Sequence, residues 1–324
     1  MPTVAPIDLD GHCVTAAFID DVPVFALADG VVHRLDGGHK WNELHDGLLC
    51  ADVGQDCKSL ITGGEDGRVL RFGADWEFSE IANIGNRWIT AVASGPGEAT
   101  AFASGRAAYA VLSDGTLKEI VHPRSVEDVA FAPKGIRLAV ARYNGATLYY
   151  PASSGKPTEL EWAGAHTGIG FSPNGEFLVS VMQENALHGW KLSDGRHMRM
   201  TGYPAKVKSW SWSAKGRWLA TSGAPAAIVW PFTGKDGPMG KAPRELGTPG
   251  NLMVTAVSCH PEEEVVASGY SDGMVLVCRI GDGNEAVLRR GGRSAISSLC
   301  WDKAGLRIAF GTEAGDCGVI DITG

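Results

Sequence analysis

Short apolar runs recur along the whole chain. Each is broken by Gly, Pro, Asn or Asp, and no stretch keeps the three-to-four spacing of an amphipathic helix. The pattern predicts many short β-strands joined by tight turns. The clearest statement of it is ITGGEDGRVLRF, residues 61–72, which returns as ASGYSDGMVLVCRI, residues 267–280. Aligning the apolar runs that precede such turns yields eight equivalent starts: Cys13, Leu48, Ile89, Val126, His166, Val207, Val254 and Ile296. They are spaced 35 to 47 residues apart.

Within one unit four strands can be read. In AHTGIGFSPNGEFLVSVMQENALHGWKLSDGRHMRMT they fall at residues 166–171, 177–181, 187–192 and 197–201, with a turn residue at each break. A four-stranded unit of about 40 residues cannot bury both its faces alone and must stack on copies of itself, which points to a β-propeller. The last copy ends after its third strand, while residues 3–10 read as a strand with no unit of their own. Pairing the two removes an open sheet edge. The expectation is therefore an all-β fold: a β-propeller of four-stranded antiparallel blades, eight in number and closed by the N-terminal strand, in a single domain over residues 1–324. Seven blades is the alternative, and it requires the unit starting at Cys13 or Ile89 to be absorbed elsewhere.

Composition narrows the function classes. With 37 acidic and 29 basic residues the net charge is -8, which argues against a general nucleic-acid or anionic-membrane binder. Seven cysteines, an odd number, sit mostly inside strands and read as small buried hydrophobes of a reducing compartment. The segment MPTVAPIDLDGH has neither a basic leader nor an apolar run, and no later run is long enough to span a bilayer. A cytoplasmic location without membrane contact is expected.

The segments Phe171-Ser172-Pro173-Asn174-Gly175 and Phe131-Ala132-Pro133-Lys134-Gly135, with the turns at Asp66-Gly67 and Asp272-Gly273, resemble WD-repeat propellers. The resemblance covers nearly the whole chain in period and strand-turn pattern. It departs at the dipeptides that name that family. Where Trp-Asp would end the third strand stand Phe72-Gly73, Tyr150-Pro151, Trp190-Lys191, Trp230-Pro231, Cys278-Arg279 and Ile320-Asp321. The resemblance implies a hydrogen-bonded His, Ser/Thr, Asp and Trp in each blade, and most units here lack the full set. Apolar packing is expected to replace it, with Trp190, Trp212, Trp230 and Trp301 as wedges.

Several motifs carry less than they suggest. Gly269-Tyr270-Ser271-Asp272-Gly273 matches a hydrolase nucleophile elbow in letters only, because it aligns with the turn Gly63-Gly64-Glu65-Asp66-Gly67 and precedes no helix. GKDGPMGK, residues 234–241, lacks both the spacing of a phosphate loop and its Ser/Thr. No cofactor is indicated. His12, His39 and His45 are weak metal candidates clustered in the first unit, on different strands and turns. Arg196, His197, Arg199, Lys206 and Lys208, and again Arg289, Arg290 and Arg293, read as solvated faces of outer strands.

The resemblance implies protein binding on the rim where fourth-to-first loops and second-to-third turns emerge. That rim is expected to carry Arg87, Trp88, Arg124, Arg142, Tyr143, Tyr203 and Tyr270, residue types enriched at interface hot spots. The expected function is a non-catalytic scaffold for one or more protein partners. A ligand or metal site at a central channel is the alternative, and anion or nucleic-acid binding through the local Arg clusters is a third reading.

Overall fold

A computed structural model describes residues 2–247 and 250–323. Thirty β-strands and one short 3-10 turn, Pro96–Glu98, make up its regular structure. The N-terminal strand β1 is Thr3–Asp8. Then β2 to β5 are Cys13–Ile19, Val22–Leu27, Val31–Leu35 and His39–Glu43, and β6 to β9 are Leu48–Val53, Ser59–Gly64, Arg68–Gly73 and Phe78–Asn83. Next, β10 to β13 are Ala91–Ser94, Thr100–Ser104, Ala107–Val111 and Leu117–Val121. The middle of the chain forms β14 to β19: Val126–Phe131, Leu138–Tyr149, Thr158–Phe171, Phe177–Met182, Ala186–Lys191 and His197–Met200. After it come β20 to β23, Trp210–Trp212, Trp218–Thr221, Ala227–Pro231 and Arg244–Leu246. The last are β24 to β27, Val254–Cys259, Val265–Tyr270, Val275–Arg279 and Glu285–Arg289, and β28 to β30, Ile296–Trp301, Arg307–Thr312 and Asp316–Asp321.

These strands form seven antiparallel sheets, six of four strands and one of six. The fold is a β-propeller built on four-stranded blades, and the sheet count corrects the expected eight. The difference lies at β14–β19, where the repeats starting at Val126 and His166 share one six-stranded sheet. The cause is visible in β15 and β16. Five residues along a straight strand span about 16 Å, yet Arg142 Nε donates to Thr147 Oγ1 at 3.0 Å. So β15 doubles back at Asn144 and Gly145, whose φ angles are 65° and 129°. Strand β16 then pairs with β15 through residues 158–165 and with β17 through residues 166–171, joining the two repeats without a break. The repeats starting at Cys13 and Ile89 each keep a four-stranded sheet, so the merger falls elsewhere than the seven-blade alternative places it.

The closing pairing is present. Thr3 to Asp8 runs antiparallel to Asp321 to Asp316, so the sheet order is β1-β30-β29-β28. The outer edge of β30 is thereby covered.

Contacts divide the chain into two compact units. One comprises Met1–Ala28, Val32–Trp41 and Gly202–Gly324, the other Asp29–Val31 and Asn42–Thr201. Each is held by apolar packing between successive sheets. In the second unit, Ile61 and Val69 pack with Ile89, Val92, Phe102 and Tyr109 of the next sheet. In the first, Ala256, Ala267 and Val275 meet Ile296, Trp301, Ile308 and Phe310. Of the expected wedges, Trp190, Trp230 and Trp301 are buried, while Trp212 is half-buried against Phe232.

Successive first strands are also tied by side chains that satisfy backbone groups left over at the sheet edge. Asp52 accepts from Ser94 N at 2.7 Å and Asp128 from Ile169 N at 2.8 Å in the second unit. Ser209 accepts from Val257 N and Ser298 from Ala16 N in the first.

Candidate partner-binding surface

The turn between β7 and β8 sets the geometry of the loop that carries Trp88. Gly67 there has φ +77°, and a Cβ on it would lie 1.6 Å from the carbonyl oxygen of Gly85, so only glycine fits. Backbone bonds Ile84 N to Gly67 O and Ile89 N to Gly64 O, both 3.0 Å, then clamp the loop at its two ends. Ile89 is fully buried. Arg87 is held on the other side, donating from Nε to Ile84 O and from Nη1 to the Tyr109 hydroxyl at 3.2 Å. Tyr109 in turn donates to Glu119 Oε1 at 2.8 Å and stacks on Phe102. With both neighbours anchored, Trp88 projects outward at 58 % exposure.

The next repeat supplies the other wall. Val126 N donates to Gly105 O and His122 N to Arg106 O, so the loop from His122 to Ser125 straddles the turn at Gly105-Arg106. Val121, at the end of β13, is 69 % exposed. Arg87, Trp88, Thr90, Arg106, Glu119 and Val121 line a cleft of about 530 Å³. Arg106 and Val121 were missed in reading the chain. The signal for Arg106 was present, because Gly105-Arg106 occupies the same second-to-third turn as Asp66-Gly67.

The expected rim residues separate into two groups. Arg87, Trp88, Arg124 and Tyr143 are on the surface, Tyr143 at 50 % exposure. Arg142 is consumed locally: it donates to Thr147 Oγ1, to the Tyr143 and Asn144 carbonyls and to the Glu159 carboxylate. Tyr203 and Tyr270 are buried, at 7 % and 2 % exposure, which removes them from any rim. Tyr203 bridges Thr221 Oγ1 at 2.7 Å and Trp230 Nε1 at 2.6 Å, and burial pushes its phenol up to about 12.

The metal candidates do not converge. His45 is buried, with Nδ1 at 3.0 Å from Asp66 Oδ1 and Nε2 at 2.9 Å from Thr62 Oγ1. The ionised carboxylate can only accept, so Nδ1 carries the proton and Nε2 accepts from the threonine. Burial holds this imidazole below its ordinary pKa, against the opposing pull of Asp66. The exposed His39 faces the half-buried His33 at 2.9 Å, and His12 is exposed. Among the described residues, no group of three or more His, Cys, Asp or Glu side chains is placed to hold a metal.

The tempting motifs are structural. Gly273 N bonds Tyr270 O and Asp272 Oδ1 accepts from Met274 N, which makes residues 270–273 a turn. Lys241 caps its own loop through Thr233 and Gly237.

No family model matches the chain. In sequence it is similar to telomerase protein component 1 of Rattus norvegicus, 24 % identical over 192 residues, and to that of Mus musculus, 24 % identical over 189 residues. In both the match covers 56 % of this chain and 7 % of the relative, so the chain spans a small part of the length of the curated relatives it matches. In structure it is similar to the computationally designed Ika8 protein, with a TM-score of 0.76 and 19 % identity over 97 % of this chain and 98 % of that one. That likeness concerns the fold.

Proposed function

We propose that the protein is a non-catalytic interaction scaffold that binds a protein partner through the surface around Trp88. The observation that carries this reading is the pairing of two strongly exposed apolar side chains, Trp88 and Val121, across a cleft whose walls are anchored by buried neighbours. A rigid, pre-formed pocket lowers the entropy that binding must overcome, and tryptophan and arginine are the residues whose removal costs interfaces most. Arg124 and Tyr143 are exposed as well. What the telomerase component does belongs to a far longer protein and adds no partner to this reading.

The test is affinity capture from native lysate with wild type, a Trp88→Ala/Tyr143→Ala variant and a Phe78→Ser control, all shown folded by circular dichroism. A stoichiometric protein retained by wild type and control but lost from the double variant supports the scaffold. Equal retention by all three, or retention of nothing, rejects this surface.

A further inference from the structure

We infer that the segment recognised at this surface carries a carboxylate beside an apolar residue: an acidic, hydrophobic peptide stretch of a partner protein. The inference rests on the scaffold reading above. On a chain of net charge -8, this cleft is locally cationic. Arg87 and Arg106 line it, and Arg124 lies in the loop that straddles the Arg106 turn.

The state of these guanidinium groups matters more than their number. Arg87 spends its contacts on a carbonyl and a neutral phenol, and its guanidinium lies over the Tyr109 ring. Arg106 and Arg124 are exposed and form no ion pair among the described residues. Other arginines of the chain are neutralised by a carboxylate, as in Arg68 with Glu80, Arg71 with Glu98 and Arg307 with Asp302. Glu119, the carboxylate lining the cleft, already accepts from Tyr109. A ligand carboxylate can therefore reach Arg106 without displacing an internal partner, and the planar guanidinium offers it two parallel N–H donors. Trp88 and Val121 on the flanks then cover the apolar neighbour of that carboxylate. A nucleic-acid strand would also meet the arginines and could stack a base on Trp88, but the Glu119 carboxylate in the cleft and the net charge of -8 disfavour a phosphate backbone.

The experiment is selection of a phage-displayed 12-residue peptide library on the full chain, with counter-selection on the folded Trp88→Ala variant. The expected result is enrichment of peptides with Asp or Glu next to Trp, Phe, Leu or Ile. Such peptides should bind Trp88→Ala and Arg106→Glu at least about tenfold more weakly, weaken with added salt, and bind the milder Arg106→Gln variant with an intermediate loss. Peptides that need Trp88 but are neutral or basic would overturn the carboxylate inference and leave the scaffold surface standing. Acidic peptides indifferent to Arg106→Glu would overturn it too. Absence of any Trp88-dependent peptide would count against the scaffold reading itself, and a single-stranded oligonucleotide bound in a Trp88-dependent manner would replace the peptide by a nucleic acid.

Discussion

The hydroxyl of Tyr203 accepts a 2.6 Å hydrogen bond from the indole Nε1 of Trp230. Indole can only donate, so the direction of the chain that follows is determined: Trp230 to Tyr203, Tyr203 to Thr221 at 2.7 Å, and Thr221 to the carbonyl of Ile228 at 2.9 Å. This buried relay locks β21 and β22 to the loop that precedes β20. His45 with Thr62 and Asp66, and His166 with Ser180 at 2.7 Å, do the same in other repeats.

Tyr203→Phe removes the middle of the relay and leaves the Trp230 N–H without an acceptor. A buried donor left unsatisfied costs about 1 to 3 kcal/mol. Urea unfolding at neutral pH should show that loss, with the slope of the transition unchanged and binding at the Trp88 surface intact in the folded variant.

Asp128 is pushed up to about 7 by desolvation, against the pull of the Ile169 and Val129 amides. In the unfolded chain such a carboxyl ionises near pH 4. Between those values the folded state holds a proton that the unfolded state has released. Its contribution to stability therefore falls as pH rises from about 4 to about 7, and the penalty is complete above that window. Asp128→Asn cannot ionise, so its stability relative to wild type should improve on going from pH 5 to pH 8, by about 1 to 3 kcal/mol in paired unfolding curves. An unchanged difference would show that the carboxyl is ionised throughout.

His188 presents the opposite sign. It is fully buried and stacked on Trp162 at 4.0 Å, with no hydrogen-bond partner for either ring nitrogen among the described residues. Burial holds it down to about 3. The unfolded chain binds a proton below about pH 6.5 that the fold refuses, so stability is lost as pH falls from 6.5 towards 3. His188→Leu should change stability little at pH 7, because no hydrogen bond is broken. At pH 5 it should gain about 2 kcal/mol relative to wild type, read from thermal or urea unfolding at the two pH values.

Deleting residues 2–8 uncovers the edge of β30 that Thr3–Asp8 occupies. An open edge of this kind recruits other strands. The truncated chain should aggregate at concentrations where the full chain stays dispersed, as measured by light scattering, and added β1 peptide should suppress that aggregation.

Much of the architecture was legible along the chain, because it depends on local chemistry. Alternating apolar residues and turn formers repeat in register, so strand positions such as Phe177–Met182 and the closing pair of β1 with β30 follow from pattern and edge avoidance. The sheet count did not follow, because it rests on whether hydrogen bonding continues from one repeat into the next, as it does through β16. The candidate surface was half legible. Trp88 is exposed because Arg87 is anchored to Tyr109 of β12 and Ile89 to Gly64 of β7, and Tyr203 is buried because Thr221 and Trp230, 18 and 27 residues away, come to meet it. As letters, both are aromatic residues in equivalent loops. Which one faces a partner and which one locks a sheet is set by neighbours distant in sequence, and those are brought together only by packing.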